Sequence, residues 1–352
     1  MQVADNKGKD EIHHVNTKLS FDSIDIAKFI GSILIFAMHC SALGNYKYAQ
    51  FTLEIVARWG VPFFFISSAY FLFRKSVGGN IERKHLLHYL FRIGTLYLCW
   101  MIFNLPSIFI VRLYQKDLLA ISTWLIFVKN SILSSTFTGS WYLMSSMFSA
   151  CLVYWLSKRF HTKTILLFTL PLYLLCVLTS VYKGVLPEQV TNILSFLCFP
   201  LNIFNGCFYF ALGKCIYENE VQIKLYLTKY KALMLFLTFY LLYVIEILVT
   251  KHFNVFDTTD VAFSTVALSC FLFLLCLQSK LRIKNNVLLR KLSTIIYCCQ
   301  GNVLIFNGLC KKNLGVHSLI AFMMSCIVVA SISIIVFTVQ KKGQWKWANY
   351  LT

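Results

Sequence analysis

Lys28 and His39 are the residues whose types and spacing could do chemistry in this chain. They lie in DIAKFIGSILIFAMHC, residues 25 to 40, which is otherwise apolar enough to sit in a membrane. Eleven helical residues at about 100° each bring a side chain back to within about 20° of the same face, roughly 16 Å further along the axis. Asp25 and Ser32 fall one turn to either side of Lys28, so Asp25, Lys28, Ser32 and His39 form one polar stripe. Polar and charged groups cost on the order of 3 kcal/mol each at mid-membrane, so the stripe is expected to face the bundle interior or a wet cavity. A neutral imidazole can take a proton or act as a nucleophile near neutral pH. It can equally join a proton relay, for which Lys28 and the intramembrane Glu246 are further members. The plainest alternative has Lys28 snorkelling to the headgroups with Asp25 as its partner.

The elements that must position these groups follow from composition. Of 352 residues, 58% are hydrophobic and 13% charged, which excludes an ordinary soluble domain. The chain reads as an all-α polytopic membrane protein with about ten transmembrane helices. They are placed near 24–43, 55–73, 89–111, 139–156, 164–182, 193–216, 232–250, 260–278, 292–310 and 316–338. Residues 113–138 are interrupted by Lys116, Asp117 and Lys129 and read as a loop with an interfacial or re-entrant helix.

With ten spans, 22 Lys and Arg fall on the side of the termini and 9 opposite, which predicts both termini cytoplasmic. Residues 1–20 are expected to be a flexible tail and 339–352 a second cytoplasmic tail. The net charge of +19 is then explained by basic loops lying against anionic lipid, and nucleic-acid binding is not expected. The 13 cysteines show no CxxC pairing, so neither a disulfide framework nor a metal site is expected. No phosphate-binding loop and no internal repeat is present in the sequence.

Several motifs occur in the order and spacing of a known family. Lys28, ten residues and His39 resemble the first-helix signature of the acyltransferase-3 family of ten-helix membrane acyltransferases. RWGVPFFFISSAYFLFRK, 58–75, is similar to the family's V-P-x-F-F-x-x-S-G-Y-x-L, with Ala69 where Gly is usual. ERKHLLHYLFRIGTLYLCW, 82–100, resembles its basic entry to the third helix, GSWYL, 139–143, its L-W-Y-L, and FYFALGKCI, 208–216, its F-x-L-G helix end. LSTIIYCCQGNVLIF, 292–306, departs from the family's I-Y-L-x-H, with Gln300 in the place of histidine.

The resemblance covers about residues 20 to 338, a single acyltransferase-like membrane domain at 21–338. It implies transfer of an acetyl or other short acyl group from acetyl-coenzyme A, or a similar thioester, to a hydroxyl of a surface glycan or its lipid-linked precursor. His39 is then the general base or a transient acyl carrier, with Lys28 on the same face as the second catalytic candidate. Arg83, Lys84 and Arg92 are candidates for the donor's phosphates. Ser67, Ser68, Tyr70, Trp141, Tyr142 and Gln300 are candidates for substrate contacts, although serines in membrane helices commonly bond their own backbone and aromatics anchor at the interface. The expected setting is the plasma or inner membrane of a bacterium, with the bilayer and a glycan or glycolipid acceptor as partners and homo-oligomerisation open. The rival reading is a transporter or flippase for a lipid-linked sugar or small solute, against which five prolines and no repeat argue.

Overall fold

The computed structural model describes residues 21–75, 81–113, 116–343 and 346–352, so the expected tail at 1–20 lies outside the described residues. The described residues form helices and no strands. In chain order they are α1 (Asp22–His39), α2 (Lys47–Ala57), α3 (Gly60–Phe73), α4 (Arg83–Phe103), α5 (Leu105–Ile108), α6 (Ile121–Leu133), α7 (Trp141–Ser157) and α8 (Thr162–Leu178). There follow α9 (Glu188–Phe196), α10 (Gly206–Glu218), α11 (Glu220–Tyr226), α12 (Lys229–His252), α13 (Phe263–Gln278), α14 (Asn286–Cys298), α15 (Gln300–Asn313) and α16 (Ser318–Lys342). A short π-helix, Phe109–Leu113, and 3-10 turns at Lys183–Val185 and Lys346–Leu351 complete the set.

Of the expected layout of about ten spans, the structure shows the all-helical part and fewer long apolar helices. Among the described residues, four helices are long and apolar enough to cross a membrane: α2 with α3 as one rod from Lys47 to Phe73, then α4, α12 and α16. α14 and α15 qualify only as a pair bent by 61°. The stretch expected as one span at 193–216 is divided into α9 and α10, and α1 ends at His39 rather than near residue 43. Hydropathy averages over a window and does not register a break whose freed backbone groups are bonded by side chains from far along the chain.

Two such breaks satisfy one another. Pro106 lacks an N–H and ends α4 at Asn104. Asn104 is fully buried and donates Nδ2 to the Trp100 carbonyl at 2.8 Å and to the Cys298 carbonyl at 3.0 Å. Its Oδ1 accepts the Asn302 N–H at 3.1 Å. Asn302 reciprocates, accepting the Ser107 N–H at 3.1 Å and donating Nδ2 to the Phe103 carbonyl at 2.6 Å. Gly301 is required between them, since a Cβ there would stand 2.5 Å from both Asn104 Oδ1 and Ser107 Oγ.

The core centres on α3, which is apolar all round and buried over most of its surface, as a helix enclosed by others must be. α10 lies along it, and a Cβ on Gly213 would come within 2.6 Å of the Ala69 Cβ and the Ile66 carbonyl. Small residues at this crossing allow the close backbone approach on which membrane helix packing depends. α1 packs along α14, and α12 along α13. Glu246 of α12 accepts the Phe263 N–H at 2.8 Å, the Ser264 N–H at 2.9 Å and the Tyr182 hydroxyl at 3.1 Å. It thus caps the otherwise unsatisfied start of α13, which gives this intramembrane carboxylate a structural role. α6, from the stretch expected to hold an interfacial or re-entrant helix, buries no residue and is tied to α9 by Lys129 Nζ donating to the Phe196 carbonyl at 2.9 Å.

Candidate active site

A cavity of about 1120 Å³ opens between α1, α3, α4, α7 and α14. That exceeds the roughly 300–1,000 Å³ usual for ligand clefts. Among the described residues that line it, Lys28, Lys75, Arg92, Arg282 and Arg290 face only two carboxylates, Asp22 and Asp25. Both carboxylates are already engaged. Asp25, 4% exposed, takes a two-pronged bond from Arg290, with Nε to Oδ1 at 3.2 Å and Nη2 to Oδ2 at 2.9 Å. Asp22 accepts the Ile283 N–H at 2.6 Å and Asn286 Nδ2 at 2.7 Å. The alternative in which Asp25 partners Lys28 gives way to Asp25–Arg290, because α14 brings Arg290 alongside α1 with a fork that matches a carboxylate better than an ammonium does. Lys28 Nζ is left in the cavity with the Phe71 ring, 5.5 Å away, as its neighbour.

Hydroxyls and rings line the cavity beyond Lys28. Ser68 Oγ and the Tyr142 hydroxyl are 3.0 Å apart. The Tyr89 hydroxyl is buried with no hydrogen-bond partner, which is rare for a polar atom away from water. Phe64, Tyr142 and Tyr297 meet one another at centroid distances of 5.6 to 6.0 Å. Tyr297 is held by its hydroxyl, which donates to the Gly139 carbonyl at 3.0 Å. The C-terminal 3-10 turn forms another wall, with Tyr350 against Phe91 and the Leu351 carbonyl accepting Trp100 Nε1–H at 3.2 Å.

His39 stands at the far end of α1, three turns past Lys28, and its ring is exposed. Its Nδ1 lies 2.6 Å from Gln300 Oε1. Gln300 is fully buried and is the first residue of α15, so the 61° bend delivers its side chain to the histidine. Arg58, in the turn between α2 and α3, donates Nε to Thr259 Oγ1 at 2.7 Å and pairs with Asp260. Both charges of that pair act on His39 electrostatically.

The structure thus brings together Lys28, Arg92, Ser68 and Tyr142 in one cavity, and His39 with Gln300 beyond it. It does not bring in the other candidates. Arg83 and Lys84 are exposed at the start of α4 and do not line the cavity. Ser67 Oγ donates to the Phe64 carbonyl at 3.0 Å, and Ser32 likewise bonds its own helix at Phe29. The Tyr70 hydroxyl donates to Glu220 Oε2 at 2.6 Å and accepts from Arg74 at 2.8 Å, while Trp141 packs on Phe65 at 5.9 Å. Sequence reasoning missed Tyr89, Lys75, Arg282, Arg290 and the Arg58–Asp260 pair. The basic run of KLRIKNN, 280–286, was the available signal, and it reads equally well as an ordinary positive loop.

Comparison with known proteins agrees with this geometry at the level of family. Two amino-acid racemases of Enterococcus faecalis are similar. One is 26% identical over 219 residues, covering 57% of this chain and 28% of the racemase. The other is 24% identical over 328 residues, covering 88% of this chain and 45% of the racemase. The chain therefore spans less than half the length of these curated relatives. No solved structure matches. Residues 21–338, which carry most of the cavity lining and the His39–Gln300 pair, match the acyltransferase-3 family, described as an acyltransferase domain, and the chain belongs to that family.

Proposed function

We propose that this acyltransferase moves an acetyl or other short acyl group from an acyl-coenzyme A to a hydroxyl of a cell-surface polysaccharide or its lipid-linked precursor. The observation that carries this reading is the cavity, whose cationic lining exceeds its carboxylates, with Asp25 committed to Arg290 in a two-pronged bond. Such a lining suits the phosphates of a nucleotide-bearing thioester, because Arg offers a bidentate fork and Lys a point charge. The hydroxyls of Ser68, Tyr89 and Tyr142 suit the amides of its thin arm. In this reading the cavity opens to the cytoplasm and His39 meets the acceptor on the other side. There the imidazole takes the acceptor's hydroxyl proton, or carries the acyl group in transit. The racemase activity named for the two relatives belongs to proteins of which the match covers only 28% and 45%, and it is not assigned to this chain.

The test is thioester consumption. Purified protein is mixed with acetyl-, propionyl- or succinyl-coenzyme A and a glycolipid fraction of the producing cells, and free thiol is measured for wild type and His39→Ala. Release that requires both the acceptor fraction and His39 is expected, with a loss of at least about 10²-fold in the variant. Absence of release with every donor, from folded wild-type protein, would return the chain to the transporter reading.

A further inference from the structure

Gln300 spends its amide asymmetrically. Its Oε1 lies 2.6 Å from His39 Nδ1, while its Nε2 is buried and has no hydrogen-bond partner. A glutamine kept only to hold the fold would have both ends of the amide bonded, because an unpaired buried donor costs about 1–3 kcal/mol. Here the end that is satisfied is the one that faces the imidazole. With the amide oxygen, which has no proton to give, placed toward the imidazole, His39 Nδ1 is the donor and carries the hydrogen. The other ring nitrogen, Nε2, then holds the lone pair, on a ring that is exposed. The placement of Gln300 is fixed from behind: it follows the break at Cys299, and that break is clasped by Asn104 and Asn302 through bonds of 2.6 to 3.1 Å.

We propose that Gln300 is a positioning residue that fixes His39 in the Nδ1–H tautomer, so that the Nε2 lone pair is presented to the acceptor hydroxyl. This deepens the acyl-transfer reading and rests on it. In the step it serves, His39 Nε2 takes the hydroxyl proton as the acceptor oxygen bonds to the thioester carbonyl carbon. The carbon–sulfur bond then breaks, and the coenzyme A sulfur leaves with the proton returned from Nε2. The opposite tautomer has no lone pair on that nitrogen and cannot begin the sequence.

The experiment compares wild type, Gln300→Leu and Gln300→Glu by thiol release from acetyl-coenzyme A as a function of pH, together with thermal unfolding. Gln300→Leu keeps the volume and removes the acceptor, and it is expected to lower kcat/KM by about 10²- to 10⁴-fold, the usual worth of a positioned base. Gln300→Glu still accepts from Nδ1–H and is expected to stay within about tenfold of wild type. Its carboxylate stabilises the imidazolium, so the ascending limb of its pH profile should move to higher pH. A wild-type rate in Gln300→Leu overturns the proposal. Should that variant not fold, an unshifted limb in Gln300→Glu overturns it instead. If wild type itself releases no thiol, the acyl-transfer reading fails separately. The tautomer is then read from imidazole nitrogen shifts, with His39→Ala used to assign the signal among the 8 histidines. A hydrogen found on Nε2 rather than Nδ1 would also overturn the assignment to Gln300.

Discussion

Replacing Lys28 with Met keeps the aliphatic stem and deletes an ammonium that has the Phe71 ring at 5.5 Å and no carboxylate bond. Because no direct ion pair is broken, the folded protein loses a cation–π contact of about 0.5–1 kcal/mol and the longer-range attraction of Asp25, which keeps its Arg290 partner. Donor binding should lose more. Unit charges 4 Å apart attract by about 4 kcal/mol at an effective dielectric of 20, before desolvation is subtracted. A hydrogen bond to a charged group nets about 1.5–3 kcal/mol. At about 1.4 kcal/mol per decade, the affinity for acetyl-coenzyme A should fall roughly 10- to 100-fold. The assay is calorimetric titration or the donor KM on detergent-purified protein, with thermal unfolding measured alongside. Arg290→Met is the contrasting variant: it removes both hydrogen bonds to the buried Asp25 carboxylate, and because Arg290 itself is half-exposed the cost is that of an unsatisfied buried acceptor, about 1–3 kcal/mol of stability. Unchanged donor affinity in Lys28→Met, or a loss of stability as large as that of Arg290→Met, would refute the assignment of Lys28 as a donor-binding cation of the cavity.

Two further outcomes test the framework around the site. Asn104→Ala removes three buried hydrogen bonds and leaves the Cys298 carbonyl and the Asn302 N–H unpaired, so unfolding should cost about 2–4 kcal/mol less and thiol release should fall with the loss of the Gln300 position. Glu220, on the loop helix α11, is partly opposed by burial, but hydrogen bonds from Lys224 and Tyr70 and the charges of Lys224 and Arg74 hold its carboxyl below the usual range. A depressed carboxyl contributes stability that is present above its unfolded pKa and is lost as pH falls through the folded value. The melting temperature of wild type should therefore drop on acidification below about pH 4, and part of that drop should be missing in Glu220→Gln.

The sequence made the Lys28–His39 face legible because helical period alone places residues 28 and 39 on one side. Arg92, Ser68 and Tyr142 were found through motif order, and the cavity gathers all three with Lys28. What stayed hidden depends on distant partners. Asp25 and Arg290 are 265 residues apart, so the sequence could offer Asp25 only its near neighbour Lys28 as a partner. The bend at Cys299 was equally hidden, since Asn104 and Asn302, 198 residues apart, restore the hydrogen bonds that a broken helix gives up. Tyr70 shows the converse: its motif position suggested a substrate contact, and the fold turns its hydroxyl to Glu220.

α4 touches both ends of this machinery. Tyr89 and Arg92 face the cavity, and about 18 Å further along the same rod Asn104 grips the residues that carry Gln300. A slide of α4 by one residue's rise, about 1.5 Å, is enough to part hydrogen bonds of 2.8 to 3.1 Å. Pharmacologically, if His39 acts as proposed, a small molecule wedged beside Arg92 that shifts this rod would disarm that histidine without touching it, and adding acceptor would not relieve the inhibition.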